Sequence, residues 1–503
     1  MQNAQLPSSV KSGFDNQKYL ESQSESIRER ISEFGGKLYL EFGGKIFDDY
    51  HASRVLPGFL HDSKIEMLSV MKDDVEIVVV ISAWDIDGSK LRDDIGITYD
   101  LEVLRMIDMF RDAELLVSGV VVTHYGGQKS ADAFCSKLES LDVKVYKHYM
   151  IEGYPSDLEH IISDEGFGKN DYVETTRSLV AVTAPGPGSG KMAVCLSQIY
   201  QDSKRGIRSG YAKFETFPVW NLPLKHPLNL AYEAATAELD DVNMIDPFHL
   251  EAYGVTAVSY NRDIEIFPIL KSIFEGIYKE SPYKSPTDMG VNMTGFCITD
   301  ETAVSDASKE EILRRYYKAV CSKKRGKESS GAVRRIELLM KQADVNPGDR
   351  KVAAAVHEHP HVDEMPVAAI SLRDGTIVTG KTSSLLAATS AMMLNALKTL
   401  AGIADSLHLL SPSVIEPVQS LKTKYFGDTA ASLQATEMLI ALSVCATTNP
   451  VATAVLDRLP ELRGCDIHSS IILPDEEEKM FRKLGINVTC DPKYPTDRLF
   501  QDL

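Results

Sequence analysis

Short apolar runs alternate with amphipathic stretches over the first 220 residues of the chain. The apolar runs cover residues 37–42, 76–82, 115–124, 143–146 and 178–184. They have the length of buried β-strands, whereas residues 101–110 and 129–141 place apolar side chains at helical spacing. Strands that alternate with helices predict βα units, and hence an α/β domain with a Rossmann or P-loop-like parallel sheet over residues 1–220.

The pattern changes after residue 220 and again near residue 346. Residues 221–345 predict a mostly helical middle region, with helices at 227–239, 262–278, 308–323 and 331–342. The sequence Asn-Pro-Gly-Asp that follows residue 345 is a turn-rich boundary. Beyond it we expect strands at 352–356, 367–372, 376–379 and 467–473 and a helix at 383–401, which predict a second α/β domain over residues 346–503.

Residues 367–398 resemble the hairpin-then-helix opening of the cytidine-deaminase-like fold. The resemblance implies an αβα layout for the C-terminal domain. Deaminase chemistry needs His-x-Glu or Cys-x-Glu at the start of that helix and a later Pro-Cys-x-x-Cys to hold zinc. Neither stands at these positions in the sequence, so we do not expect deamination.

The composition is that of a water-soluble globular protein, with 44% hydrophobic and 25% charged residues. The 72 Asp and Glu residues outnumber the 54 Lys and Arg residues, which gives a net charge of -18 at pH 7. Such a charge repels nucleic acid and anionic membranes, so neither is an expected partner. The sequence leaves open whether the chain forms a homo-oligomer.

The chain has neither the pattern of a secretory leader nor an apolar run of membrane-spanning length, which predicts a cytoplasmic protein. Its seven cysteines are scattered and include no Cys-x-x-Cys pair. An odd and scattered set favours reduced, buried thiols over a disulfide framework or a cysteine-rich zinc site.

The strongest local signal for ligand binding is a glycine-rich loop after the fifth predicted strand. It reads Ala-Pro-Gly-Pro-Gly-Ser-Gly-Lys over residues 184–191 and precedes a predicted helix. Glycines allow backbone N–H groups to surround an anion, and a helix N-terminus with a lysine adds positive potential. Pro185 and Met192 break the P-loop consensus, so Mg²⁺ coordination is not expected, and the alternative is a turn that binds nothing. The residues of the predicted phosphate or nucleotide site are Gly186, Gly188, Ser189, Gly190 and Lys191.

A complete match to the P-loop pattern, Gly-x-x-x-x-Gly-Lys-Thr, stands at residues 375–382. Its intervening Thr-Ile-Val-Thr favours a strand and resists the positive φ angles that a phosphate cradle needs. We interpret Asp374 and Gly375 as a hairpin turn and residues 376–379 as the following strand, without affinity for phosphate.

Residues 357–364 concentrate side chains that bind metals. On a strand, the three histidines of this segment would face one side. The segment His-x-His-Pro with Ser371-x-x-Asp374 also resembles the zinc isopeptidases of the JAMM type, although the serine is too far from the histidines. The alternative is a solvated loop, and Cys465-x-x-His468 could add ligands only if the fold brought it close. The candidate zinc ligands are His357, His359, His361 and Asp363.

Two further regions are rich in polar groups. Basic residues concentrate between residues 314 and 335, where we expect a solvated helical pair without affinity for nucleic acid. Residues 211–263 mix polar and aromatic side chains, as both ligand clefts and domain interfaces do. The polar members are Lys213, Glu215, Asn221, His226, Asp246, His249, Asn261, Arg262 and Asp263.

Five long segments together resemble one bacterial family. They are residues 14–59, 184–192, 213–235, 357–372 and 374–385. Through them the chain resembles the domain-of-unknown-function 1846 family, also called uncharacterised protein family 0371, over nearly its whole length. The resemblance implies a multidomain α/β cytoplasmic protein. Some members are labelled ATP-dependent peptidase, but the resemblance carries no catalytic residues over to this chain.

The residues support three functions. The first is binding of a nucleotide or phosphorylated small molecule at residues 185–191, as in a phosphotransferase whose substrate cleft residues 211–263 would form. The second is a metal-dependent hydrolase or peptidase that uses residues 357–364. The third is a ligand-binding protein without catalysis, so the sequence leaves open whether the chain is an enzyme.

Overall fold

The computed structural model describes residues 12–47, 49–92, 96–214, 217–327, 330–428 and 430–496. The chain divides into two units, each with its own sheet. The N-terminal unit comprises Ser12–Glu233 and Asp240–Ser308, and the C-terminal unit comprises Ala234–Leu239 and the chain from Lys309 onwards. None of the described helices is both long and apolar enough to cross a membrane.

A parallel sheet forms the centre of the N-terminal unit. The strands of this unit are β1 Leu38–Phe42, β2 Val75–Ser82, β3 Leu91–Arg92, β4 Ile97–Thr98, β5 Leu116–Tyr125, β6 Val145–Tyr149, β7 Leu179–Thr183, β8 Gly210–Phe214, β9 Asn243–Ile245, β10 Val258–Tyr260 and β11 Gly290–Val291. Seven of them form the sheet, all parallel, in the order β11-β8-β1-β7-β2-β5-β6. Every residue of β1, β2 and β7 is buried, as expected for a parallel sheet covered on both faces. The predicted α/β class is therefore confirmed.

Amphipathic helices pack against this sheet. The α-helices that begin in the N-terminal unit before residue 300 are α1 Asn16–Glu33, α2 Tyr50–Val55, α3 Ser63–Val70, α4 Ala83–Asp87, α5 Tyr99–Asp112, α6 Lys129–Ser140, α7 Leu158–Ile161, α8 Lys191–Lys204, α9 Pro227–Ala235, α10 Pro247–Tyr253, α11 Asn261–Tyr278 and α12 Pro286–Met289. In α5 the buried residues Val103, Met106, Ile107 and Phe110 follow the spacing of a single helix face. That spacing explains why α5 could be predicted from the sequence.

The connection that follows β7 runs across the sheet in the opposite direction from the connections that follow its two neighbours, β1 and β2. From β1 and from β2 the chain continues towards the β5 side, whereas from β7 it passes through α8 to β8 on the other side. Crossovers between parallel strands are right-handed, so α8 lies on the opposite face from the helices that follow β1 and β2. The carboxyl end of β7 is therefore a topological switch point, where open α/β sheets bind ligands.

The outer edge of β6 is covered by a short segment of the same chain. The backbone N–H of Lys147 donates to the Asp171 carboxylate at 2.7 Å, and that of Tyr149 donates to the Asn170 side-chain oxygen at 2.9 Å. The N–H of Asp171 donates in return to the Lys147 carbonyl oxygen at 3.1 Å. The N–H groups of Lys147 and Tyr149 and the carbonyl group of Lys147 are therefore satisfied within the chain.

The C-terminal unit contains a mixed four-stranded sheet. Its strands are β12 Val367–Ser371, β13 Ile377–Lys381, β14 Asp466–Ser469 and β15 Asn487–Cys490, in the order β13-β12-β14-β15. The strand β12 is antiparallel to both neighbours, and β14 is parallel to β15. The α-helices from residue 301 onwards are α13 Glu301–Lys324, α14 Ser330–Ala343, α15 Lys351–His357, α16 Ala388–Leu400, α17 Pro412–Leu421, α18 Ala435–Ala446, α19 Pro450–Leu456 and α20 Asp475–Lys483.

The hairpin predicted around Gly375 is confirmed, and one predicted strand is wrong. Gly375 has a φ of 86° in the turn between β12 and β13, so the complete P-loop pattern is a turn and a strand. Residues 352–356, expected to form a strand, lie in α15. A short apolar run cannot be assigned by periodicity alone, and its three consecutive alanines favour a helix.

The basic stretch forms two helices as predicted, but part of it is not solvated. Arg314 is hydrogen-bonded to Glu311, and its side chain is only 14% exposed. Arg325 donates to a carboxylate oxygen of Glu478 at 2.6 Å. The charges of these arginines are therefore neutralised within the unit. All seven cysteines are buried and free, which confirms that prediction.

Candidate functional site

The glycine-rich loop, residues 184–190, joins the carboxyl end of β7 to the start of α8. Gly190 is the N-cap of α8 with a φ of 87°, and Gly188 has a φ of 77°. Side-chain-bearing residues reach such angles only with strain, so both positions favour glycine. Gly186 is favoured for a different reason, because a Cβ atom there would lie 2.1 Å from the hydroxyl oxygen of Tyr99. The three glycines are thus explained by the shape of the loop.

Two hydroxyl groups hold the glycine-rich loop in place. Ser189 is fully buried, and its Oγ donates to the carbonyl oxygen of Gly186 at 2.9 Å. Thr123, near the carboxyl end of β5, donates through Oγ1 to the carbonyl oxygen of Ser189 at 2.7 Å. Because β2 lies between β7 and β5 in the sheet, the loop crosses the end of β2.

Several backbone N–H groups at this turn have no acceptor in the part of the chain that the structure describes. They include those of Gly188, Gly190, Lys191 and Met192. The side chain of Lys191 is partly exposed and makes no ion pair with any described carboxylate. The dipole of α8 adds to the positive potential of these groups. The arrangement is one that binds an anion.

An aromatic pair lies at the same edge of the sheet. The ring of Trp84, at the start of α4, stacks on the imidazole of His124 with the ring centroids 4.2 Å apart. Trp84 is 54% exposed, and Nδ1 of His124 lies 3.0 Å from Oγ of Ser82. Burial lowers the pKa of His124, so its imidazole is neutral at pH 7. Neither aromatic residue was predicted to belong to a site, although His124 ends one predicted strand and Trp84 stands two residues after another.

Polar residues of the 211–263 region hold local structure together. The buried carboxylate of Asp246 caps α10 by accepting from the N–H groups of Phe248 and His249, each at 3.0 Å. Lys213 forms an ion pair with Asp263 at 2.7 Å. Glu215 lies outside the described residues.

The C-terminal unit brings one predicted histidine together with two residues from distant parts of the chain. His357 ends α15, and its Nε2 lies 3.0 Å from Oδ2 of Asp491, which directly follows β15. His468 on β14 places its Nε2 3.2 Å from Oδ1 of the same carboxylate. One potential ligand atom from each side chain lies within 4.8 Å of the others. We call His357, His468 and Asp491 the His–Asp cluster.

The other candidate metal ligands are not part of the His–Asp cluster. Because α15 ends at His357, the segment is not a strand and the three histidines do not share a strand face. The imidazole of His361 contacts Glu364 at 2.9 Å, and its ring centroid lies 5.8 Å from that of His359. Asp363 is exposed. Of the Cys465-x-x-His468 pair, only the histidine joins the cluster.

A buried polar network lies behind the His–Asp cluster. Arg350 is fully buried, is hydrogen-bonded to Glu310, and places Nη2 3.3 Å from Oδ1 of Asp466. Its Nε donates to Oγ1 of Thr489 at 3.1 Å, and the same oxygen lies 2.9 Å from Nδ1 of His468. Burial lowers the pKa of His468, which favours its neutral form. The imidazole of His468 is thus held in the cluster by Thr489, which is in turn bonded to the buried Arg350.

Two family models together match almost the whole chain. The model described as domain of unknown function DUF1846, N-terminal, matches residues 12–344, and the model for its C-terminal domain matches residues 348–500. The chain is also similar to proteins of Streptococcus pneumoniae named UPF0371 protein. Those of strains JJA and CGSP14 are each 55% identical over 491 residues, which is 98% of this chain and 99% of the relative. The resemblance stated from the sequence is confirmed.

Proposed function

The chain belongs to the DUF1846 family, and we propose that it binds the phosphate group of a small molecule at the glycine-rich loop. The observation that carries the proposal is that N–H groups of the loop and of the start of α8, among them those of Gly188, Gly190, Lys191 and Met192, have no acceptor among the described residues. Backbone donors are nearly always paired in folded proteins, with the chain, with water or with a ligand. Phosphate oxygens can accept hydrogen bonds from several such donors at once.

Charge and position favour phosphate over a neutral ligand. Lys191 is a cation without an ion-pair partner among the described residues, and it stands at the positive end of α8. The loop also lies at the carboxyl end of β7, which is a topological switch point of the sheet. These two features support an anionic ligand at this place.

The aromatic pair supports a nucleotide as the ligand. The exposed ring of Trp84 offers a flat surface at the edge where the loop lies, and stacking of a base on an aromatic ring contributes about 1–3 kcal/mol. The neutral imidazole of His124 can accept a proton, as transfer of a phosphoryl group to a hydroxyl requires. We therefore propose, more specifically, that the chain is a cytoplasmic phosphotransferase.

Calorimetric titration of the full chain with inorganic phosphate, ADP and ATP tests the proposal. The variant Lys191→Ala should bind these compounds more than tenfold more weakly, because a charge-assisted contact contributes roughly 1.5–3 kcal/mol. Lys381→Ala is the matched control, since Lys381 stands in the complete P-loop pattern but is exposed on β13. Unchanged affinity in Lys191→Ala, or an equal loss in both variants, would contradict a phosphate site at the loop.

A further inference from the structure

We propose that the His–Asp cluster of the C-terminal unit binds a divalent transition metal ion, Zn²⁺ by its donor chemistry. The inference is independent of the phosphate site. His357, His468 and Asp491 offer two imidazole nitrogens and a carboxylate oxygen, all within 4.8 Å of one another. Two ligands at zinc-bond length and the tetrahedral angle are roughly 3.3 Å apart. The distances of 3.0 and 3.2 Å from the Asp491 oxygens to the two imidazole nitrogens are close to this value.

The hydrogen bonds of Thr489 decide which nitrogen of His468 carries a proton. The hydroxyl group of Thr489 carries one hydrogen, and its oxygen lies within hydrogen-bonding distance of three groups. The Nε of Arg350, at 3.1 Å, only donates, whereas the carbonyl oxygen of Ile467, at 2.9 Å, only accepts. The Thr489 hydrogen is directed to the Ile467 carbonyl, so Nδ1 of His468 is the donor in the 2.9 Å contact.

This assignment makes Nε2 the ring nitrogen of His468 that faces the cluster. Nε2 lies 3.2 Å from the carboxylate of Asp491 in a buried place. A cation between them would contact both ligand atoms. A histidine that binds a metal through one nitrogen and donates from the other is the usual arrangement at such centres, and Thr489 supplies the outer contact.

The exposure of the three ligands differs in a way that suits an open coordination position. His468 is fully buried and the Asp491 side chain is 8% exposed, whereas the His357 side chain is 43% exposed. Three protein ligands with a solvent-facing fourth position characterise catalytic rather than structural zinc sites. A water molecule bound there would be acidified by the metal.

Metal titration of the full-length, chelator-treated protein tests this inference. We expect Zn²⁺ to bind with a stoichiometry of about one and to raise the melting temperature, because a ligand of the native state stabilises it. His357→Ala, at the most exposed ligand, should weaken binding at least about tenfold. The double variant His359→Ala/His361→Ala is the matched control and should retain the affinity. Asp491→Asn, with its fold checked by circular dichroism, should lose binding like His357→Ala.

Cobalt(II) spectroscopy identifies the donor atoms. Binding at the His–Asp cluster should give visible d–d bands without the near-ultraviolet charge-transfer band of a thiolate, and His357→Ala should abolish them. If no saturable binding is detected, His468 and Asp491 are linked by a hydrogen bond alone, and the inference is overturned. A thiolate band, or a loss of binding in the control rather than in His357→Ala, would also overturn it.

Discussion

The hydroxyl of Thr123 donates to the carbonyl oxygen of Ser189 at 2.7 Å, although the two residues are 66 positions apart in the chain. This bond ties the glycine-rich loop to the end of β5. Thr123→Val keeps the shape of the side chain and removes the donor. We expect the free energy of unfolding to fall by about 1–3 kcal/mol, because a buried carbonyl loses its partner.

Urea denaturation measures this loss, and phosphate titration of the same variant should show weaker binding because the loop is less well fixed. Thr399→Val is a suitable control. Its hydroxyl donates to the Asn395 carbonyl on the exposed side of α16, so the change should stay within about 0.5 kcal/mol. Equal effects of the two substitutions would argue against a role for Thr123 in holding the loop.

Trp84 should distinguish nucleotides from inorganic phosphate. Trp84→Ala removes the exposed ring that stacks on His124. We expect the affinity for ADP to fall by about tenfold, since base stacking contributes about 1–3 kcal/mol, and the affinity for inorganic phosphate to stay unchanged. Calorimetry with both ligands measures the difference. If both affinities fall together, Trp84 supports the loop and does not contact a base.

The buried guanidinium of Arg350 should be essential for the stability of the C-terminal unit. Arg350→Ala removes a fully buried guanidinium and leaves the partly exposed carboxylates of Glu310 and Asp466 without this partner, so we expect a loss of about 1.5–3 kcal/mol in the free energy of unfolding. Arg458→Ala, which removes an ion pair between half-exposed side chains, should cost less than about 1 kcal/mol. Chemical denaturation of both variants makes the comparison, and a small effect of Arg350→Ala would contradict the prediction.

The buried imidazole of His148 should make stability depend on pH. Burial lowers its pKa to about 4 in the folded chain, compared with an ordinary value of about 6.5. Between these values the unfolded chain binds the proton more readily, so stability is complete above about pH 6.5 and falls towards pH 4. The loss can reach about 3 kcal/mol. In His148→Gln this part of the pH dependence should disappear, and denaturation curves that keep the same pH dependence would refute the prediction.

Four strands of the parallel sheet, β1, β2, β5 and β7, could be predicted because they carry apolar runs, whereas the run predicted at residues 143–146 overlaps only the first two residues of β6. The strand β8 was missed, since Gly-Tyr-Ala-Lys-Phe mixes polar, aromatic and small residues. The strand order could not be predicted either, because the position of β7 between β1 and β2 depends on long-range contacts that a local sequence pattern does not show.

The same limit applies to the candidate sites. The glycine-rich loop can be recognised from the local sequence, because its positive φ angles favour glycine. By contrast, Asp491 stands 134 positions after His357, and only the pairing of β14 with β15 brings it beside His468. From spacing alone, His357 was therefore grouped with its near neighbours in the sequence.

The segment that covers β6 also affects how the protein behaves in a crowded solution. A wide sheet with an apolar interior would template the growth of fibres if its last strand presented free backbone groups to other molecules. Asn170 and Asp171 occupy those groups on Lys147 and Tyr149. Neighbouring chains therefore cannot pair with these groups while the segment stays in place.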